Sequence, residues 1–212
     1  MSESRKIPYI VRFKSAAAVH LEKSYRFILQ EAEVLLEDDS KLNEHGAKSR
    51  YGLLVTVFLS ADSSDSALST AYAYAESMLS LVSFSVSTIT KRCAPFQIID
   101  VDPAKSDRNM VQFQTWPGNL PLARRFREPE MQMLLDRLGT YPETSRGRLL
   151  QAVAWYRKSL EEPEPLDCFI NVWTGLEAIN EPIKKKFDLP REQPTKSCPK
   201  CGENVVMTAT HA

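Results

Sequence analysis

Two cysteines near the end of the sequence, Cys198 and Cys201, have the spacing of half a zinc site. A gap of two residues lets both thiolates bind one tetrahedral Zn²⁺, and Gly202 frees the backbone to turn around the metal. Three completions stay open: His211 with water, a second chain contributing the same two cysteines, or a second cysteine pair following Ala212. A redox pair is less favoured, because such pairs open a helix after a strand. Zinc is therefore a candidate cofactor, at a site that is incomplete in this chain.

A run of lysines precedes this cysteine pair. Residues 184–200 carry six positive and two negative side chains, a local net charge of +4. Beside a zinc-binding pair such a segment could contact RNA phosphates. The more ordinary explanation is a solvated helix end, where lysines also complement the helix dipole. The RNA-binding candidates are Lys184, Lys185 and Lys186, and the same two explanations apply to a second basic cluster, Arg124, Arg125 and Arg127.

A carboxylate, Glu177, lies within the apolar stripe of a predicted helix, one turn beyond Trp173. The other members of the stripe are Leu166, Phe169, Ile170 and Leu176. We expect this stripe to face the core, where a lone charge must be paired, hydrogen-bonded or protonated. Arg146 and Arg157 flank the apolar side of the preceding helix, and either is a candidate partner. Glu177 is thus either half of a structural ion pair or a catalytic or ligand-binding carboxylate.

Motifs of the common hydrolases and nucleotide-binding enzymes are absent from the sequence. It contains no GxSxG, P-loop, GxGxxG or HExxH pattern. Of the three histidines, His20 lies in a predicted helix and His45 in a predicted loop. The residues by themselves therefore assign no catalytic site.

The elements that position these residues begin with an N-terminal region of mixed type. We predict a strand over 7–13, a helix over 15–39, a loop over 38–50 and a buried, β-branched strand over 50–62. A second helix covers 66–90, with N-caps available at Ser63, Ser64 and Asp65. The serine alternation in VSFSVSTI also matches a half-buried strand, which leaves the end of this helix open. Pro95 then breaks the chain, and 96–102 and 109–116 form two strands that can pair as a hairpin.

Helices dominate after a linker that contains Pro117, Gly118 and Pro121. They cover 128–140, 142–162 and 165–182, the first stopped by Gly139 and the last by Pro182. The final thirty residues lose this periodicity. The expected fold is α+β and mainly helical: an N-terminal α+β region (1–116), a helical bundle region (117–182) and a basic, proline-rich tail with the CxxC pair (183–212).

Composition limits the partners of this chain of 212 residues. Lys plus Arg and Asp plus Glu both number 27, so no overall field attracts nucleic acid or anionic lipid. No apolar run is long enough to span a bilayer, and the start has no secretory signal pattern. We therefore expect a cytoplasmic protein with no membrane partner and no DNA-binding signature.

The segment from 145 to 202 resembles the Apea-like branch of the HEPN family. The resemblance lies in AVAWYRKSL and FINVWTGLEAI, followed by a lysine-rich link and CPKCG. It implies an up-and-down helical bundle that tends to dimerise, in which Arg157, Trp173 and Glu177 are motif residues. Many members of the family are metal-independent endoribonucleases or components of defence and toxin–antitoxin systems.

The family's catalytic signature, an arginine and a histidine separated by four to six residues, is not found in this chain. Arg12 precedes His20 by one residue too many, and His211 has no arginine nearer than Arg191. Catalytic residues are therefore not carried over, and enzymatic activity stays open. The resemblance favours a non-catalytic HEPN-like module in RNA-directed defence or stress response, with a homodimer and RNA as partners. The alternative is a dimerising protein-interaction or sensor module that does not bind RNA, which the net charge of zero favours slightly.

Overall fold

A computed structural model describes residues 6–42, 48–102, 110–113, 124–187, 195–197 and 204–206. Side chains are described over 6–40, 51–102, 110–113 and 124–180. The strands are β1 (Ile7–Ala16), β2 (Val19–His20), β3 (Tyr25–Leu29), β4 (Ala32–Asp38), β5 (Lys41–Leu42), β6 (Lys48–Arg50), β7 (Gly52–Ala61), β8 (Ala94–Asp100), β9 (Met110–Gln112), β10 (Arg124–Arg125), β11 (Thr195–Ser197) and β12 (Asn204–Val206). The helices are α1 (Ser64–Val86), α2 (Glu128–Gly139), α3 (Glu143–Glu161) and α4 (Pro165–Phe187). The α+β class predicted from the sequence is confirmed.

Six strands form one antiparallel sheet in the order β3-β4-β7-β1-β8-β9. β1 and β7 pair along their full length, from Ile7 opposite Ala61 to Ala16 opposite Gly52. Alternate residues of β1 are buried, as a strand with one face on a core requires. The predicted strands at 7–13 and 50–62 and the predicted pairing of 96–102 with 109–116 are confirmed.

The predicted helix over 15–39 is wrong, because the segment forms β2, β3 and β4. Buried residues alternate strictly in β3 and β4, which is a period of two. Leu29 pairs with Ala32, so Gln30 and Glu31 form a two-residue hairpin loop in which Gln30 has a φ of 57°. His20 accordingly lies in a strand that pairs with β10, not in a helix.

Helix α1 packs on the sheet through a row of alanines, Ala67, Ala71 and Ala75, all fully buried. Their small side chains let the helix approach the sheet closely. The side chain of Ser63 accepts a hydrogen bond from the Ser66 amide at 3.2 Å, which caps the start of the helix. The helix ends at Val86, earlier than the predicted 90, and Ser87 follows with a φ of 47°.

The C-terminal helices form successive layers beyond α1. α3 packs on α1, partly through a perpendicular contact of the Phe84 and Tyr156 rings at 5.5 Å, and α4 packs on α3. Met131 and Leu138 of α2 join the core of the sheet and α1. The predicted stop at Pro182 is wrong, because α4 continues to Phe187. Proline removes one hydrogen bond of a helix and bends it, and here the helix continues despite that cost.

Two smaller differences concern prolines and arginines. Pro95 was predicted to break the chain but lies inside β8, next to an irregularity in the pairing with β1 between Arg12 and Phe13. Proline has no N–H group to donate to the ladder, so it is tolerated where the strand pairing is irregular. Arg124 and Arg125 form the short strand β10, parallel to β2.

Candidate interaction surface

Helix α4 is positioned by close packing of one face against α3. Asn171 and Gly175 on this face are buried. A Cβ atom at Gly175 would lie 3.1 Å from the Ala152 carbonyl oxygen and 3.3 Å from Cβ of Trp155. Because a Cβ atom would be tight at this position, glycine favours the close approach of this face of α4 to α3.

The opposite face of α4 is exposed and apolar. We define the α4 apolar face by five residues whose exposed fractions lie between 49% and 69%: Leu166, Phe169, Ile170, Trp173 and Leu176. They recur over three turns, so they form one continuous stripe. The sequence located this stripe, but the prediction that it faces the core is wrong. The small residues on the other side of the helix make the internal contact.

Glu177 lies beside this face and is exposed. Its Oε1 accepts a hydrogen bond from Nε1 of Trp173 at 2.9 Å, and Phe169 stacks on Trp173 with 6.2 Å between ring centroids. The prediction of a core-facing carboxylate paired with Arg146 or Arg157 is therefore wrong, since the contact of Glu177 is with Trp173. These contacts hold the indole in one orientation on the surface, which favours a defined contact with a partner.

Arg157 is 4% exposed and joins α3 to α1 and to the segment after it. Its Nε donates to the Thr90 carbonyl oxygen at 2.8 Å, and its Nη1 donates to Oε2 of Glu76 at 2.9 Å. Oε1 of Glu76 in turn accepts from the Cys93 amide at 2.7 Å. Glu76 was missed by the sequence reasoning because its partner lies 81 residues away and no local pattern marks it.

Burial raises the pKa of the Cys93 thiol well above its ordinary value, and the neighbouring Glu76 carboxylate raises it further. A thiolate at this place would lose hydration and face a second negative charge. Burial and the neighbouring carboxylate therefore both favour the protonated thiol of Cys93, as expected for a buried structural cysteine.

The arginine cluster borders a cleft of about 910 Å³ at the start of α2. Arg125 pairs with Glu22 at 2.8 Å and Arg127 with Glu130 at 2.9 Å. Arg124 donates to the Val86 carbonyl oxygen at 3.1 Å and so caps the end of α1. Most of the positive charge here is thus balanced by carboxylates or used in capping.

A lysine at the rim of the same cleft is also paired. Nζ of Lys23 lies 3.0 Å from a carboxylate oxygen of Glu128. The hydrogen bond to Glu128, followed by its charge, raises the pKa of Lys23.

The remaining residues singled out from the sequence lie at the end of the chain. Lys184, Lys185 and Lys186 are in the last turns of α4, but their side chains are outside the described residues. Cys198 and Cys201 also lie outside them, between β11 and β12, which pair with each other. Within the described part of the chain, no three His, Cys, Asp or Glu side chains are grouped so that they could hold a metal ion.

Of the helices that the structure describes, none combines the length and the hydropathy needed to cross a membrane. Comparisons with protein-family models, with curated proteins and with solved structures give no match for this chain. The geometry of the α4 apolar face is therefore the main basis for a functional proposal.

Proposed function

We propose that this chain is a dimerising protein-interaction module and that a second copy covers the α4 apolar face. The observation that carries the proposal is the exposure of Leu166, Phe169, Ile170, Trp173 and Leu176. Large apolar and aromatic side chains carry roughly 150–250 Å² each, so this face presents on the order of 500 Å². Patches of that size on soluble proteins commonly mark a contact with another molecule.

The area suits a symmetric pair. Two copies that bury this face against each other remove on the order of 1,000 Å² in total, which is the lower bound for a specific interface. Twofold symmetry requires only that one patch complements itself. α3 and α4 form a helical hairpin joined by a short turn, and two such hairpins in contact make a four-helix bundle. This agrees with the bundle and the dimer that the HEPN resemblance implies.

The charges at the two ends of α4 favour an antiparallel pair. The helix follows the acidic turn that contains Glu162 and Glu164 and ends with the run from Lys184 to Lys186. Its 23 residues span roughly 35 Å, so these charges lie far apart within one copy. A twofold axis near Trp173 places the lysine run of one copy opposite the acidic turn of the other. Opposite charges then meet at both rims of the apolar contact.

Charge reversal tests this arrangement. The triple variant K184E/K185E/K186E places like charges at both rims, so we expect a weaker dimer in sedimentation velocity. The variant E162K/E164K should weaken it similarly. A chain with all five changes restores opposite charges and should regain the wild-type dimer. If this combination does not recover the dimer, the antiparallel arrangement is wrong. Dimerisation itself is then tested by the variants of the α4 apolar face.

A zinc site shared by two copies is a separate extension of the dimer proposal. An antiparallel pair with its axis near Trp173 leaves the two ends of α4 on the order of 40 Å apart, so both tails must run back toward the axis to share a metal. Cys198 and Cys201 of two chains together supply four thiolates, the ligand number of a closed structural site. We expect native mass spectrometry to show one zinc per dimer, lost with a chelator and in C198S. A dimer that persists after the metal is removed would show that zinc is not needed for association.

A second proposal is the HEPN-like role in RNA-directed defence or stress response. It is supported by the lysine run at the end of α4. We expect a labelled single-stranded RNA to shift at low salt, and K184E/K185E/K186E to abolish the shift.

Two controls accompany this test, one for the position of the reversed charges and one for dimerisation. R137E/R148E, which reverses exposed charges on α2 and α3, should leave RNA binding largely intact. Trp173→Ala tests whether a monomer still binds RNA. If wild type produces no shift at low salt, the interaction module without RNA binding is the better description.

A further inference from the structure

A cleft of about 440 Å³ lies between α1 and α3, on the surface next to Arg157. We call it the Arg157 cleft. α1 contributes Glu76, α3 contributes Trp155, Lys158 and Glu161, and Arg92 closes it from the segment after α1. Its volume is within the range that small-molecule sites occupy. None of the five residues of the α4 apolar face lines it, but Glu162, at the rim of the proposed dimer contact, does.

The guanidinium at the floor of this cleft has one buried donor without an acceptor. Nε and Nη1 of Arg157 donate to Thr90 and Glu76, but Nη2 is buried and has no hydrogen-bond partner in the described structure. Buried polar groups in folded proteins are nearly always paired, and an unpaired donor on a charged group is especially unfavourable. The exposed area of Nη2 is below 1 Å², so an acceptor from outside the chain reaches it only when side chains lining the cleft move.

Three acidic and three basic side chains line the cleft, so the proposal depends on which of them are already paired. Among the acidic residues, Glu76 is paired with Arg157, and Glu161 lies 3.6 Å from Nζ of Lys91 and 3.7 Å from Nε of Arg157. Glu162 also lines the cleft and accepts only a long hydrogen bond from Asn171, at 3.5 Å.

The cations at the rim are less committed. Arg92 and Lys158 are exposed and form no ion pair within the described part of the chain. Nζ of Lys158 lies over the Trp155 ring, 4.8 Å from its centroid. The donors left for a ligand are therefore two exposed cations and the Nη2 atom of a third.

We propose that the Arg157 cleft binds a small molecule through an oxyanion, either a phosphate or a carboxylate group. The oxyanion accepts from Nη2 of Arg157 and from Arg92 and Lys158 at the rim. Arg92 and Lys158 are flexible and exposed, so they can move aside to admit the ligand and then close on it. When Lys158 turns toward the anion its ammonium leaves the face of Trp155, which becomes available to an uncharged part of the ligand.

Isothermal titration calorimetry of the full chain with inorganic phosphate and with citrate tests the proposal, at ionic strength matched with sodium chloride. We expect saturable binding of at least one of them, and the preferred anion separates the phosphate from the carboxylate source. R92Q/K158Q should weaken that binding at least about tenfold, because two charge-assisted hydrogen bonds are lost. Trp155 fluorescence should change on binding, since the cation over its ring moves.

R148Q is the matched control. Arg148 is exposed on α3 but does not line the cleft, so its loss should leave affinity unchanged. Both variants change exposed residues, and circular dichroism would show that they keep the fold. Absence of saturable binding of either anion, or equal affinity in wild type and R92Q/K158Q, would overturn the proposal.

Discussion

Replacing Trp173 with alanine removes the central side chain of the α4 apolar face. Trp173 is 54% exposed, so about 120 Å² of a side chain of roughly 225 Å² is available to a partner. At about 25 cal/mol per Å², covering it contributes about 3 kcal/mol per copy and about 6 kcal/mol for a symmetric pair. Incomplete burial of the indole and the ordering of its side chain reduce this value, so we expect a loss of about 3 kcal/mol. That is a rise of more than about a hundredfold in the dimer dissociation constant.

Sedimentation equilibrium over a wide concentration range measures this constant directly. Wild type should pass from the 24.0 kDa monomer to a dimer, while Trp173→Ala stays monomeric at the same concentrations. Met133 supplies the matched control, because it is an apolar residue of α2 with a similar exposed fraction, 51%, and lies off the α4 apolar face. We expect Met133→Ala to dimerise as wild type does.

The stability of the monomer separates a lost interface from a damaged fold. Trp173 makes few internal contacts apart from Phe169 and Glu177, so the variant should unfold within about 1 kcal/mol of wild type at low concentration. The reasoning would be refuted by a wild-type chain that is monomeric throughout, or by equal dissociation constants for wild type and Trp173→Ala.

Three further predictions concern the packing beneath this surface. Gly175→Val places a side chain against α3 and should lower the free energy of unfolding by about 1–3 kcal/mol, whereas Gly147→Ala, which meets nothing within 4 Å, should raise it by up to about 1 kcal/mol. Urea unfolding compares the two, and equal effects would contradict the packing described. Arg157→Met leaves Glu76 without its charge partner and should cost about 3 kcal/mol in the same assay, while a neutral outcome would show that the pair does not stabilise the fold. The raised pKa of Cys93 means that the folded thiol stays protonated where the unfolded thiol ionises. Stability should therefore fall as the pH rises above about 8.5, and Cys93→Ala should reduce that slope. Labelling of Cys93 by a thiol reagent in the folded protein as fast as in urea would refute its burial.

Much of the secondary structure could be predicted because local signals are strong there. β7 is a short apolar, β-branched run, and α1 begins at a serine cap that the structure retains. The helices α2 and α3 agree with their predicted bounds to within one or two residues. In these segments the periodicity, caps and breakers all indicate the same element.

The prediction for the segment from 15 to 39 was wrong because both a helical and a strand period fit its apolar residues. Tyr25, Leu29, Ala32 and Leu36 recur at helical spacing, but they also alternate within each of two strands. The turn that separates those strands uses Gln30 at positive φ, where a hairpin normally shows glycine or asparagine. Without that signal, only pairing with the distant β7 decides between helix and strand.

The candidate surface shows a different limit of sequence reasoning. Periodicity identifies the apolar stripe of α4 but not what covers it. The decisive information lay in Gly175 and Asn171, whose small or polar side chains indicate nothing by themselves. Likewise the contact between Arg157 and Glu76 joins residues 81 positions apart, and a single sequence contains no mark of such a pair.

The layered arrangement also predicts how the molecule opens. α4 packs mainly on α3, whereas α1 is held between the sheet and α3. Release of α4 therefore exposes little of the main core, so its amides should exchange with solvent through a partial opening, well before those of β1 and β7. In an associated pair the same amides would be protected to an extent that depends on protein concentration. Hydrogen exchange along α4 would then report the assembly state of the protein one residue at a time.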